Sequence, residues 1–175
     1  MIGQAEFSKC GTWRYRLERA IAGDLFAGRH ADALAFLMFN PSSATATRLD
    51  PTVRRCIGYA KREGYGRLIV GNLFAARATE PRDMLKMADP IGPGNVGALR
   101  RIMGEGVDVV LAWGTLLDAP ETAAVQVRTV RTLARELGPR LFCLGVCENG
   151  EPRHPLYMPK DADLLRWSIS EWAPE

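Results

Sequence analysis

Histidine is scarce in this chain of 175 residues: only His30 and His154 are present, so imidazole chemistry has few places to sit. Cysteine is nearly as sparse, with Cys10, Cys56, Cys143 and Cys147. Zinc sites usually draw on two close pairs, and only Cys143 and Cys147 form one. That pair ends an apolar run, where free cysteine acts as a small hydrophobe, so no metal and no cofactor is expected. A disulfide is not expected either, since the chain reads as cytosolic. No apolar stretch is long enough to cross a bilayer, and no basic segment leads into an apolar one near the start. The expectation is a cytoplasmic protein with no signal peptide and no membrane partner. Repeats, low-complexity tracts and linkers are also lacking, which predicts a single domain over residues 1–175.

What is present is an ordinary globular balance, 47% hydrophobic and 25% charged. That is enough apolar surface for a hydrophobic core and argues against wholesale disorder. The net charge of +3 is mild, but its distribution is uneven. Arg48, Arg54, Arg55, Lys61, Arg62 and Arg67 fall around one predicted helix, and Arg14, Arg16 and Arg19 lie near the start. Such clusters read either as solvated faces or as a surface that meets phosphates.

Residues 11–21 alternate bulky apolar side chains (Trp13, Tyr15, Leu17) with polar ones, a period of two that predicts a strand at a sheet edge. Four near-continuous apolar runs follow, at 33–39, 67–73, 107–113 and 141–146, as expected for strands covered on both faces. Between them, Asp50 is placed to cap a helix with Pro51 at its first position and Gly64 at its end. Thr79 is expected to cap a helix through Met84 and Leu85. Further helices are predicted over 95–103 and 121–137, the second ended by Gly138 and Pro139. A last helix over 161–172 would turn Leu164, Leu165 and Trp167 inward. The alternation of strands and helices predicts a three-layer α/β/α sandwich around a mainly parallel, four-stranded sheet, with the N-terminal strand at its edge.

In an open parallel sheet, ligands gather at the carboxyl ends of the strands. Each predicted strand end carries polar chemistry. The first runs into Asn40, Pro41, Ser42 and Ser43; the second ends at Asn72, followed by Leu73 and Phe74. The third closes on Trp113 and Gly114, and the fourth leads to Arg153, His154, Pro155, Leu156 and Tyr157. Parallel strands would bring these ends to one crevice. Taken singly, Asn-Pro-Ser-Ser is a common turn, and Trp-Gly can be a core residue before a bend. His154 stands out because Pro152 and Pro155 restrict the backbone around it. His30 lies in a polar loop and reads as surface.

The ordered motifs Asn40–Ala44, Asp50–Arg55, Asn72–Phe74, Ala112–Gly114 and His154–Tyr157 resemble a bacterial family catalogued as domain of unknown function 1643. The likeness runs from about Trp13 to Tyr157. More distantly, the same order of motifs resembles the uracil-DNA glycosylase superfamily, which implies an α/β/α sandwich with a four-stranded parallel sheet. By motif position, that resemblance makes Asn40 the water-positioning residue, Asn72 the base-reading residue and His154 the histidine of a late loop. Pro41, Ser42, Ser43, Phe74, Trp113, Pro155 and Tyr157 would complete the substrate pocket, and Arg54, Arg55 and Arg153 would contact nucleic acid. The sequence departs from the glycosylases at Phe39, where they usually have glycine. It departs again after His154-Pro155, which runs on as Leu-Tyr-Met-Pro.

Breaking an N-glycosidic bond builds negative charge on the departing base, which a fixed imidazole stabilises. The Asn40 amide can hold a water but cannot accept its proton, so such chemistry would rest on positioning and on the leaving group. Three readings follow: hydrolysis of the N-glycosidic bond of a modified or damaged base in DNA, a non-catalytic nucleotide or nucleic-acid binding module, or a hydrolase acting on a free nucleotide. All three take a nucleic acid or nucleotide as partner.

Overall fold

The computed structural model describes residues 3–21, 30–116 and 120–171. They form a mixed α/β fold. Seven strands make one sheet: β1 (Gly3–Phe7), β2 (Arg14–Ala20), β3 (His30–Met38), β4 (Tyr65–Asn72), β5 (Asp108–Leu111), β6 (Leu141–Cys143) and β7 (Leu165–Arg166). Their spatial order is β1-β2-β4-β3-β5-β6-β7. The four apolar runs are the parallel centre, β4-β3-β5-β6, while β1, β2 and β7 pair antiparallel on the flanks.

The sheet therefore has seven strands rather than four with one edge strand. The N-terminal alternation does form β2, but β1 pairs outside it and takes the edge. The tail also differs from expectation: it gives the short strand β7 and a 3-10 turn at Ile169–Glu171 instead of a helix. Trp167 is buried as expected, whereas Leu165 is exposed. Trp172 lies outside the described residues. His30 opens β3 rather than standing in a loop before it.

Four helices among the described residues cover the sheet: α1 (Pro51–Arg62), α2 (Pro81–Leu85), α3 (Asn95–Gly104) and α4 (Pro120–Leu137). Strand residues alternate between two cores, as the period of two requires. Leu34, Phe36 and Met38 pack with Val53, Cys56 and Tyr59 of α1. Ala35, Leu37, Val109 and Leu111 pack on the other side with Leu99, Ile102, Val130 and Leu133 of α3 and α4. Helices thus lie on both faces. Because α1 follows β3 on one face and α4 follows β5 on the other, the loops leaving these adjacent strands diverge. A crevice must open between their carboxyl ends.

Helix α1 starts where the sequence places it. The Asp50 carboxylate accepts the Val53 N–H at 2.7 Å, and Gly64 turns the chain with φ of +82°. The α2 start differs: Glu80, not Thr79, is the cap, and no side chain bonds to the helix there. Pro81 at the first helical position is enough to begin so short a helix.

Candidate functional site

The crevice between β3 and β5 holds a cavity of about 690 Å³. This is within the size range that small-molecule sites occupy. Its wall is built from four stretches: the β3 end with Phe39, Asn40, Ser42 and Ser43; the start of α1 with Asp50 and Thr52; Trp113–Leu116 after β5; and Arg153, His154, Leu156 and Tyr157 of the late loop. Thr79, Glu80 and Cys147 add to its rim. The Asn40 loop and the His154 loop, distant in sequence, therefore do meet at one cavity.

The Asn40 loop is fixed from below. Asn40 Nδ2 donates to the carbonyls of Ala78 at 2.9 Å and Pro41 at 3.1 Å. An inverted amide would set oxygen against those two oxygens, so Oδ1 is held as the group that faces away from them. Two arginines of β2, expected on a charged surface, are buried under the loop instead. Arg14 donates to the Ala44 carbonyl at 2.9 Å, and Arg19 donates to the carbonyls of Thr45 and Arg48. Burial draws the Arg14 guanidinium down to about 10, against the pull of nearby Asp50.

Asp50 is both cap and wall. It is 7% exposed; one carboxylate oxygen takes the Val53 N–H, and the other has no hydrogen bond among the described residues. Trp113 is held by donating its indole N–H to Glu151 Oε2 at 2.6 Å. Burial raises the Glu151 carboxyl, and the Trp113 bond works against that rise. Gly114 follows with φ of +87°, its Cβ position 3.5 Å from His154 Cβ, and its N–H bonds to the Pro152 carbonyl at 2.9 Å. The Trp-Gly pair thus lays the β5 turn against the late loop, in a conformation that glycine adopts without strain.

His154 is the neutral donor of the site. Burial pushes its imidazole down to about 4, with the Asp50 carboxylate pulling the other way. Its Nδ1 accepts the Leu156 N–H at 3.3 Å, so the proton of the neutral ring resides on Nε2. Pro155–Tyr157 forms a 3-10 turn immediately after it. Tyr157 stands 79% exposed at the lip, its ring 5.7 Å from the imidazole.

Several expected site residues lie elsewhere. Asn72 is 2% exposed and off the wall: its Oδ1 faces Arg14 Nη2 at 3.5 Å, and its backbone carbonyl accepts from Asn95. Phe74 is fully buried behind Phe39, with ring centroids 5.1 Å apart. Pro41 and Pro155 are buried and shape their loops without lining the cavity. Arg55 is turned to the Met158 carbonyl at 2.6 Å and does not present a free cation. Beside it, Tyr59 donates to the Pro159 carbonyl at 2.5 Å, and Arg62 donates to those of Lys160 and Ala162. Much of the basic stripe on α1 therefore clamps the chain that follows the late loop. Arg67 pairs with Glu18 and Glu105. Arg54 remains exposed on α1, and Arg153 lines the cavity while its Nε donates to the Val146 carbonyl.

Thr79 and Glu80 reach the rim because they leave the carboxyl end of β4, the one sequence signal that could have placed them there. Among the described residues no three metal-ligating side chains gather, and no helix is long and apolar enough to cross a membrane.

Fold and site together define an α/β fold with a cavity at the point where the parallel part of the sheet changes winding direction. A family model described as "Protein of unknown function (DUF1643)" matches residues 14–156, and the chain belongs to that family. No curated protein and no solved structure matches it.

Proposed function

We infer that the cavity binds a nucleobase and its attached sugar, and that the protein hydrolyses the N-glycosidic bond of a modified or damaged base in DNA. The observation that carries this reading is the shared wall. Asn40, whose amide nitrogen is taken up and whose oxygen is left, and His154, whose neutral ring carries its proton on Nε2, line one cavity at the switch point. Phe39 and Trp113 supply apolar surface for a flat ring, and the likeness to the uracil-DNA glycosylase superfamily lends further support.

In the reaction, water oxygen bonds to the sugar carbon as the carbon–nitrogen bond breaks. The departing base keeps the bonding electron pair, and the water proton passes to solvent or to the base. Asn40 Oδ1 accepts a hydrogen bond from the water, and His154 Nε2–H donates to the base as its charge grows. DNA phosphates would lie outside, near Arg153 and Arg54, after the base has been extruded from the stack.

The test is incubation with oligonucleotides carrying a broad panel of modified bases, read by base release and abasic-site formation. Release that is lost in His154→Ala supports the reading. No release across the panel, with DNA binding intact, removes the reaction. The second reading, a binding module without chemistry, draws on the Asn40 amide, which cannot take a proton. It expects Asn40→Ala to weaken affinity with no turnover to lose. Binding to DNA that falls steeply with salt would support a polyphosphate partner for either reading.

A further inference from the structure

With Asn72 behind the wall, the resemblance leaves no residue in place to read the edge of a bound base. We propose that Asp50 does so, and that the cavity selects a base carrying an exocyclic amine, of the cytosine or adenine kind, over its oxo counterpart. This rests on the reading of the cavity as a base pocket.

Three polar groups of the wall have their hydrogen-bonding sense fixed by the backbone. The Asn40 amide N–H groups are held by two carbonyls, so it offers an acceptor. The His154 Nδ1 is held by the Leu156 N–H, so the ring offers a donor. Asp50 has one oxygen held by the Val53 N–H and the other open, and a carboxylate only accepts. Hydrolysis as described uses the Asn40 acceptor for water and the His154 donor for the base. The Asp50 oxygen remains.

An amine on the base would give that oxygen an N–H. A carbonyl at the same position would set lone pairs against lone pairs in a buried place, where an unmade hydrogen bond is costly. The hydroxyls of Ser42, Ser43 and Thr52 rotate to suit either ligand and do not discriminate. Glu80, the other carboxylate of the lining, is exposed to water and discriminates weakly.

The experiment measures binding of cytidine against uridine and of adenosine against inosine to the intact chain, by calorimetry or saturation-transfer NMR at neutral pH. The expected result is at least roughly tenfold tighter binding of the amine-bearing member in one pair, the scale of one hydrogen bond gained. Asp50→Asn, whose amide can turn its NH₂ toward the ligand, narrows or reverses the preference. The α1 start survives this change because asparagine caps as well as aspartate. Asp50→Ser, also a good cap, abolishes the preference.

Equal or tighter binding of uridine and inosine overturns the proposal, as does failure of all four to bind. It also falls if the preference survives in both variants, or if Asp50→Asn destroys turnover without touching selectivity, which would assign Asp50 to the water. An amine preference without base release from any oligonucleotide removes the reaction and leaves this inference standing. Base release with oxo bases preferred does the reverse.

Discussion

Asp50 and Asp108 are both buried aspartates, and they sit at opposite ends of the parallel strands. Asp108 opens β5 at the amino end. Its two oxygens receive Arg140 Nε and Nη2, each at 2.6 Å, and Tyr65 adds its hydroxyl at 2.5 Å from the start of β4. Both oxygens of that carboxylate are thus held by the chain's own donors. Asp50, at the carboxyl end, lines the cavity with one oxygen on the helix start and the other without a hydrogen bond among the described residues. Burial alone does not mark a functional carboxylate. A closed set of partners makes a fastening between strands, whereas an oxygen left open on a residue of the cavity wall is the feature on which the proposed ligand contact rests.

The largest effect should fall at the open end. His154→Ala should lower base release by about 10²–10³-fold, or about 3–4 kcal/mol of transition-state stabilisation, if the imidazole supports the departing base. Its urea midpoint should move little, so single-turnover rates and denaturation curves together check the claim. Asp108→Asn should do the opposite. It breaks a fork and leaves Arg140 and Tyr65 without their full partner, at a cost of about 2–3 kcal/mol in urea unfolding; half of Arg140 lies in solvent, which moderates the loss. If Asp50→Asn costs as much stability as Asp108→Asn, the contrast between the two ends fails.

A smaller effect sharpens the same comparison through pH. The folded chain holds His154 at about 4, below the ordinary histidine value near 6.5. Between those values the unfolded chain binds the extra proton. Stability should therefore fall as pH drops from about 6.5 to about 4 and lose no more from this group below that. His154→Gln should lack this component, which parallel urea titrations at several pH values would show. Equal slopes for the two proteins would mean the ring is not kept neutral. The smallest effect is expected for Thr79→Ala, within about 0.5 kcal/mol, because that side chain makes no cap and lies exposed on the rim.

The parts of this fold that were legible in the sequence are those that local chemistry decides. Four apolar runs became the parallel centre because strands covered on both faces leave no alternation to confuse them. Asp50, Pro51 and Gly64 fixed α1 by capping rules that act within a few residues. What escaped depends on partners far away in the chain. Gly3–Phe7 is half exposed and becomes a strand only by pairing with β2. Leu165 and Arg166 pair with β6 for two residues, too few to show a period.

The site divides the same way. The Asn40 and His154 loops met as strand order required, but Asn72 looked equally suited until Arg14, 58 residues away, turned toward it. Nothing near Arg55 in sequence announces that Met158 will take up its guanidinium. Asp50 was half legible: capping before Pro51 was the more obvious role for a carboxylate that, ten residues beyond Asn40, could also act as a base if it approached the pocket.

The contacts from Arg55, Tyr59 and Arg62 to the stretch after the histidine loop fall at successive turns of a single helix whose first residue follows Asp50. Two sides of the recess are thereby riveted to one rod. Its breadth on that flank is set by the fold, and the turn after β5 is tied to the same late loop through Trp113 to Glu151 and Gly114 to Pro152. If the cavity takes a ligand as proposed, that construction favours selection by shape, turning away a bulkier guest instead of widening for it.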